Sequence, residues 1–307
     1  MSPSTDRTVH SVLLRTRYLW AAAGAGYLLL FWPTLTTFAY DCWETPDYSH
    51  CLAIPAICLG IVLANRRELG AVESRRSLIG FAVLVVALLV FFAGYGAGRT
   101  NVIERIGLWV SLVAGVWFVF GSKLIVAKPF PFFYLLLAIP PPFVIFDSLR
   151  LELQRIATRI SGDVLRLSGF DVIVRGNVLQ VESELLEVAD ACSGIRSLFA
   201  IVATSVLFAY LFRTGIYKGA LIVVTSIPIT VAINVLRILI VSVALASFDV
   251  DLTEGLIHDG LGLGVFAISL GLLYLSWLLY DWLFPARQRT TAPTPMPTPA
   301  EQTPETI

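Results

Sequence analysis

The sequence predicts an all-α fold, a polytopic transmembrane helical bundle of about eight spans with a small extracytoplasmic helix-plus-hairpin segment between spans five and six. Three observations carry this reading. Of 307 residues, 57% are hydrophobic and 14% charged, with a mean hydropathy of +0.79. Soluble chains run at about 45–50% apolar and about 25% charged, so the polar side chains here are too few to coat a 33.7 kDa globule. Apolar runs long enough to approach the ~20 residues of a membrane helix recur along the chain, and the charges between them sort by side. The 22 basic and 22 acidic residues cancel, which leaves no basic excess for nucleic acid. Four cysteines are too few for a disulfide-dense secreted module.

The apolar runs fall near 18–40, 51–65, 77–97, 106–121, 124–146, 194–212, 219–247 and 261–284. The second is short, and the fifth contains Lys128 and several prolines. The first is not a cleavable signal peptide, being too long and lacking a small-residue cleavage site before the aromatic stretch from Tyr27 to Trp32. Orientation follows from Lys and Arg in the short loops. With the N-terminus inside, the cytoplasmic segments hold Arg7, Arg15 and Arg17, then Arg66, Arg67, Arg75 and Arg76, then Lys123, Arg213, Lys218, Arg287 and Arg289. Acidic residues sort the other way: Asp41, Glu44, Asp47, the run from Asp147 to Asp190, and Asp249, Asp251, Glu254 and Asp259 face outward. Both termini are therefore expected inside. Residues 1–285 read as one integral membrane domain with its catalytic part at about 120–285, and 286–307, alternating Pro and Thr, as a disordered cytoplasmic tail. No internal repeat or tandem transporter half is visible.

Residues 147–191 form the one long extramembrane segment. Leu149, Leu153, Ile156, Ile160, Val164 and Leu167 recur at spacings of three and four, with Arg150, Glu152, Arg155, Arg159 and Arg166 mostly on the other face. That is an amphipathic helix of period 3.6 lying in the outer interface, ended by Gly169. Two β-branched runs about Arg175–Gly176–Asn177 predict a short hairpin. A plain packing cap over the bundle explains the segment equally well.

Chemistry gathers in spans six to eight. The string ADACSGIRSL, Ala189 to Leu198, opens span six on its outer side. It puts Cys192 in a first helical turn, where unpaired N–H groups and the macrodipole favour a thiolate, with Arg196 four residues on along the same face. Taken alone, such a cysteine reads as a small buried hydrophobe. Arg237 lies deep in span seven, where insertion costs about 2.5–3.5 kcal/mol at a helix centre, and Asn234 stands one turn earlier on its face. A snorkelling or structural ion pair is the plainer account of that arginine. His258, one of three histidines, stands immediately before span eight at the level of Cys192; alone it is an ordinary loop histidine. Together, a Cys nucleophile, a His acid/base and an Arg donor suffice for acyl transfer.

At these residues the chain resembles the exosortase/archaeosortase family of membrane-embedded cysteine enzymes. The resemblance rests on ADACSGIRSL, on Asn234–Val235–Leu236–Arg237–Ile238, and on His258 with Gly260 and Gly262. It is supported by KPFPFFYLLLAIPPPF and by the lead-in LEVADACSG, and it covers about residues 120 to 285; the first four spans match only in number and hydropathy. The resemblance implies Cys192 as nucleophile, Arg237 as essential arginine and His258 as histidine, with Arg196, Asn234, Ser193 and Gly194 in support. It implies a thiol protease or transpeptidase without cofactor or metal, seated in a bacterial cytoplasmic (inner) membrane with its active site on the extracytoplasmic face. Its partners are membrane-anchored proteins ending in a short motif (often Pro-Glu-Pro, the PEP-CTERM type), a transmembrane helix and a basic cluster. The substrate helix is expected to dock against the bundle so that the scissile peptide meets Cys192.

Other features fit less chemistry. Cys42 and Cys51 flank the first outer loop, either bridged or as two thiols, and Cys58 reads as a core residue. No CxxC or HExxH metal spacing occurs. GYGAGR (94–99) superficially resembles a phosphate loop but reads as a span terminus. Asp147 and Asp190 are candidates to orient His258 or Arg196. Two other classes compete: a multi-pass transporter using Arg196 and Arg237 to bind anions, and a noncatalytic export or assembly factor that needs no nucleophile.

Overall fold

The computed structural model describes residues 17–45, 48, 50–96, 101–140, 143–188, 195–248, 250, 252 and 255–285; the Pro/Thr-rich segment 286–307 lies outside them. Among the described residues the chain is helical apart from one small sheet and the turns between elements. Its helices are α1 (Arg17–Leu30), α2 (Trp32–Glu44), α3 (His50–Ala64), α4 (Arg66–Ala71), α5 (Leu78–Gly96), α6 (Asn101–Phe120), α7 (Ser122–Ala127), α8 (Phe130–Tyr134), α9 (Phe143–Leu167), α10 (Ile195–Leu211), α11 (Gly215–Phe248) and α12 (Gly255–Leu283). Four helical stretches are by themselves long and apolar enough to cross a bilayer, Leu78–Gly96, Val102–Phe120, Gly215–Phe248 and Gly260–Leu283. Three shorter apolar helices, Ala21–Leu30, His50–Ala64 and Arg196–Leu211, lie beside them. The α5–α6 hairpin packs tightly because Gly80 has no side chain: a Cβ there would meet the Phe118 amide nitrogen at 2.5 Å.

Two expected spans are not single helices. The first divides at Phe31, where Pro33 in the first turn of α2 has no amide to donate back into α1. The fifth is broken into α7, α8 and a 3-10 turn, Leu135–Ala138, around Lys128–Pro129, Pro131 and Pro140. Prolines delete helix donors and clash with the preceding turn. Lys128 therefore does not sit inside a span; its ammonium reaches Glu68 in α4 at 2.8 Å.

The amphipathic helix is longer than its apolar pattern alone indicates, since Phe143 to Ser148 belongs to α9. Its apolar stripe faces outward, as expected of an interfacial helix. Gln154, Ala157, Thr158, Ser161 and Leu165 are buried against the protein, while Ile156, Ile160, Val164 and Leu167 stay exposed. The apolar stripe is thus left for the bilayer interface, and the small, polar face packs inward. Three antiparallel strands follow, β1 (Val172–Arg175), β2 (Val178–Val181) and β3 (Glu184–Glu187), in the order β1-β2-β3. Val172 pairs with Val181 and Leu179 with Leu186. Gly176 turns the first hairpin at φ +63°, a conformation open to glycine because it lacks a Cβ. Val172, Leu179, Val181 and Leu186 form one core with Ala157 and Leu165 of α9 and with Val235, Ile238 and Val241 of α11. Gly162 lets the sheet approach α9, since a Cβ there would lie 2.4 Å from Val174 Cγ2. The segment is a cap seated on one end of α11.

Candidate active site

Helices α10, α11 and α12 pack against one another around Ile201, Ile222 and Leu273, all fully buried. The register of α11 against α12 is marked at two levels. At one, Lys218 donates to Asp281 at 2.6 Å, with Tyr217 and Trp282 exposed beside it, an aromatic and charged fringe of the sort found where a helix leaves the hydrocarbon. At the other, the Arg237 guanidinium lies against the α12 backbone at Gly262. Residues 218 and 237 are as far apart in sequence as 262 and 281, a rise of roughly 28 Å in either helix. That nearly equals the ~30 Å hydrocarbon thickness. Arg237 therefore stands at the opposite boundary of the hydrocarbon layer, well away from its centre, and the expected cost of burying it falls accordingly. The rest of α11, from Ile238 to Phe248, projects beyond that boundary and packs one face, with Ile238 and Val241, on α9 and the sheet.

Each candidate residue can be placed on this frame. Asn234 and Ile238 are buried on either side of Arg237. His258 falls inside the first turn of α12, which begins at Gly255, where the sequence had put it just ahead of the span. It is one turn before Gly262, so its position on the helix is on the Arg237 side. Arg196 is exposed in the first turn of α10. Cys192, Ser193 and Gly194 lie outside the described residues, immediately ahead of Ile195. From the tight turn at Arg213–Thr214 the start of α10 is roughly 25 Å away along that helix, and Arg237 is roughly 33 Å along α11, so α10 starts about 8 Å short of the Arg237 level. Asp190 is also outside the described residues. Asp147 pairs with Arg150 at 3.2 Å on its own helix.

The cap fastens the chain that enters this site. Val188 donates its amide to the Asn177 carbonyl at 2.9 Å. The buried Gln154 of α9 donates to the Val188 carbonyl at 3.5 Å and accepts from Asn177 Nδ2 at 2.8 Å. Gln154 has no signature in the sequence beyond a polar residue where the helical period turns inward. A second residue beside the site is His50, whose ring stacks on Phe199 of α10 with centroids 6.3 Å apart and whose Nε2 is 3.6 Å from Cys51 Sγ. Cys42 and Cys51 are free, buried thiols within hydrogen-bond reach of each other. Arg105 pairs with Asp41 next to them. Cys58 is a core residue as expected, donating to the Pro131 carbonyl at 3.3 Å.

Several small polar side chains deeper in α11 and α12 turn back on their own helices. Thr230 Oγ1 donates to the Ser226 carbonyl at 2.8 Å, Ser226 Oγ to Val223 at 2.6 Å and Ser269 Oγ to Val265 at 2.9 Å. Hydroxyls satisfied this way have their donors turned into their own helices. Among the described residues, no group of three or more His, Cys, Asp or Glu is placed to hold a metal ion. A family model, transmembrane exosortase, matches residues 43–275. No curated protein and no solved structure matches the chain.

Proposed function

Because this chain belongs to the transmembrane exosortase family, we propose that it is a membrane cysteine endopeptidase and transpeptidase that cleaves C-terminal sorting signals of exported proteins. The observation that carries the reading is the seat of Arg237. Its guanidinium rests on Gly262 of α12, one turn from His258 and toward the same end of the bundle as the start of α10, which Cys192 precedes in the sequence. This supports a reading in which Cys192, Arg237 and His258 supply the three groups that acyl transfer needs.

In this mechanism the Cys192 thiolate attacks the scissile carbonyl carbon. Arg237, with backbone N–H groups near Gly194, stabilises the oxyanion. Collapse of the tetrahedral adduct breaks the C–N bond as His258 gives a proton to the departing amine, leaving a thioester on Cys192. Water, or an amine or hydroxyl of a second molecule, then attacks the thioester and gives its proton to His258, which regenerates the thiolate. Asn234 positions the guanidinium from the preceding turn, and Arg196 adds positive charge at the mouth of the thiolate's helix. The substrate is a protein ending in a short motif, a hydrophobic helix and a basic cluster. With the helix spanning the bilayer and its basic end in the cytoplasm, the scissile bond falls at the extracytoplasmic face of a bacterial inner membrane.

The test is Cys192→Ala in cells that carry a tagged substrate of this kind. Unprocessed substrate should accumulate, with the variant present in the membrane at wild-type level. Normal trimming by that variant would falsify the catalytic reading and favour a noncatalytic export factor.

A further inference from the structure

At the membrane boundary opposite Arg237, a cavity of about 880 Å³ opens between the end of α3, α4, the end of α6 and the α7–α8 segment. That volume lies within the ~300–1,000 Å³ of small-molecule sites. Its inner wall is apolar, with Leu112, Val116 and Phe132, and its mouth carries Arg66, Arg67 and Lys128. Leu112 and Val116 belong to the last turns of the membrane helix Val102–Phe120, so the apolar part lies at acyl-chain depth and the cations at headgroup depth. Glu68 is the acid at this mouth. Hydrogen-bonded to Lys128 and lying in the field of Arg213, it offsets one of those charges and leaves the others. Arg66 and Arg67 are exposed, and among the described residues neither is joined to an acid.

We propose that this cavity binds an anionic phospholipid, its phosphate held by Arg66 and Arg67 and an acyl chain laid along Leu112, Val116 and Phe132. Basic pockets between membrane helices recognise anionic headgroups by this combination of charge and apolar depth. Charge complementarity selects the occupant. The chain's own N-terminal segment carries Arg7 and Arg15, and the basic cluster of a sorting signal is also cationic, so both are repelled from the mouth. The inference does not depend on the catalytic reading, because none of these residues belongs to that site.

Native mass spectrometry of the purified full-length protein, offered equal amounts of phosphatidylglycerol and phosphatidylcholine, tests it. The wild type should retain phosphatidylglycerol in preference. Arg66→Gln with Arg67→Gln should reduce that preference roughly thirtyfold, in line with the contribution of two basic residues near an anionic surface. Val116→Trp, which fills the apolar wall, should lower retention of both lipids. The two arginines are exposed, so their replacement tests the idea even where the tryptophan variant fails to fold. Equal retention of both lipids by the wild type, or an unchanged preference in the double variant, overturns the proposal. Displacement of phosphatidylglycerol by inorganic phosphate alone also overturns it, since the site would then read a soluble anion.

Discussion

The Arg237 guanidinium packs on the backbone of α12 at Gly262, where a Cβ would lie 3.6 Å from Nη2 and 4.0 Å from Cζ. Those are ordinary van der Waals distances, so the position admits one methyl group and little more. Gly262→Ala should keep substrate processing within a few-fold of wild type. Gly262→Leu should push the guanidinium off the helix, and a displacement of about 1 Å at a positioned group costs on the order of 10²-fold in rate. Processing of a tagged substrate measures both; equal activity of the two variants would detach Gly262 from the function of Arg237.

Gln154 and Gly162 tie the cap to the site from the same helix. Gln154→Leu leaves Asn177 Nδ2 and the Val188 carbonyl without their partner, a loss of about 1–3 kcal/mol for buried polar groups. Because Val188 leads into the Cys192 segment, processing should fall together with the melting temperature. Gly162→Val should melt the cap more severely, since even a Cβ meets Val174 at 2.4 Å; overpacking of this type costs typically 1–3 kcal/mol or more. Limited proteolysis within residues 170–188 reads the cap directly. Resistance unchanged in both variants would show that the cap is held by other contacts.

How far the sequence reveals this architecture depends on which force sets each part. The all-helical membrane bundle follows from apolar mass, which composition reports directly, and the motif around Cys192, Arg237 and His258 marks the proposed site without any fold. The break in the fifth run was signalled by Lys128 and its prolines, but not where the pieces would go. The inward face of α9 is one that apolar periodicity does not mark. In a soluble protein the stripe of Ile156, Ile160 and Val164 would be the buried one, whereas at a bilayer the lipid takes that face and Gln154, Thr158 and Ser161 pack inward. β3, with the sequence ELLE, has none of the β-branched residues that mark a strand and forms because Leu186 completes the core under β2. The stack of His50 on Phe199 is a contact 149 positions apart in sequence that no local pattern encodes.

Acid should loosen the face around the proposed lipid cavity. Hydrogen bonding to Lys128 holds the Glu68 carboxyl below its ordinary pKa, and Lys123 does the same for Glu73. A carboxylate whose folded pKa is depressed contributes stability that is present above its unfolded pKa and is lost as pH falls through the folded one. The melting temperature should therefore drop as pH falls below the carboxylate range, with Glu68→Gln and Glu73→Gln flattening that limb. Both groups are exposed, so the effect is small and screened by salt. A drop of the same size in the double variant would assign the acid sensitivity to other groups.

Two histidines are candidates for the proton transfer, His50, which stacks on Phe199 of α10, and His258 in the first turn of α12, and only the second is proposed to carry it. Removing a general acid costs typically 10²–10⁴-fold, so His258→Gln should reduce processing by about that range and abolish the acid and base limbs of its pH profile. His50 makes contacts that position α3 against α10, a ring stack and a thiol neighbour. His50→Gln should lower stability modestly, keep processing within a few-fold and leave the shape of the pH profile unchanged, while His50→Phe should preserve the stack and restore the stability. If instead the profile collapses in His50→Gln and survives in His258→Gln, the acid/base role passes to His50, and the catalytic set is Cys192, Arg237 and a histidine from the first half of the chain.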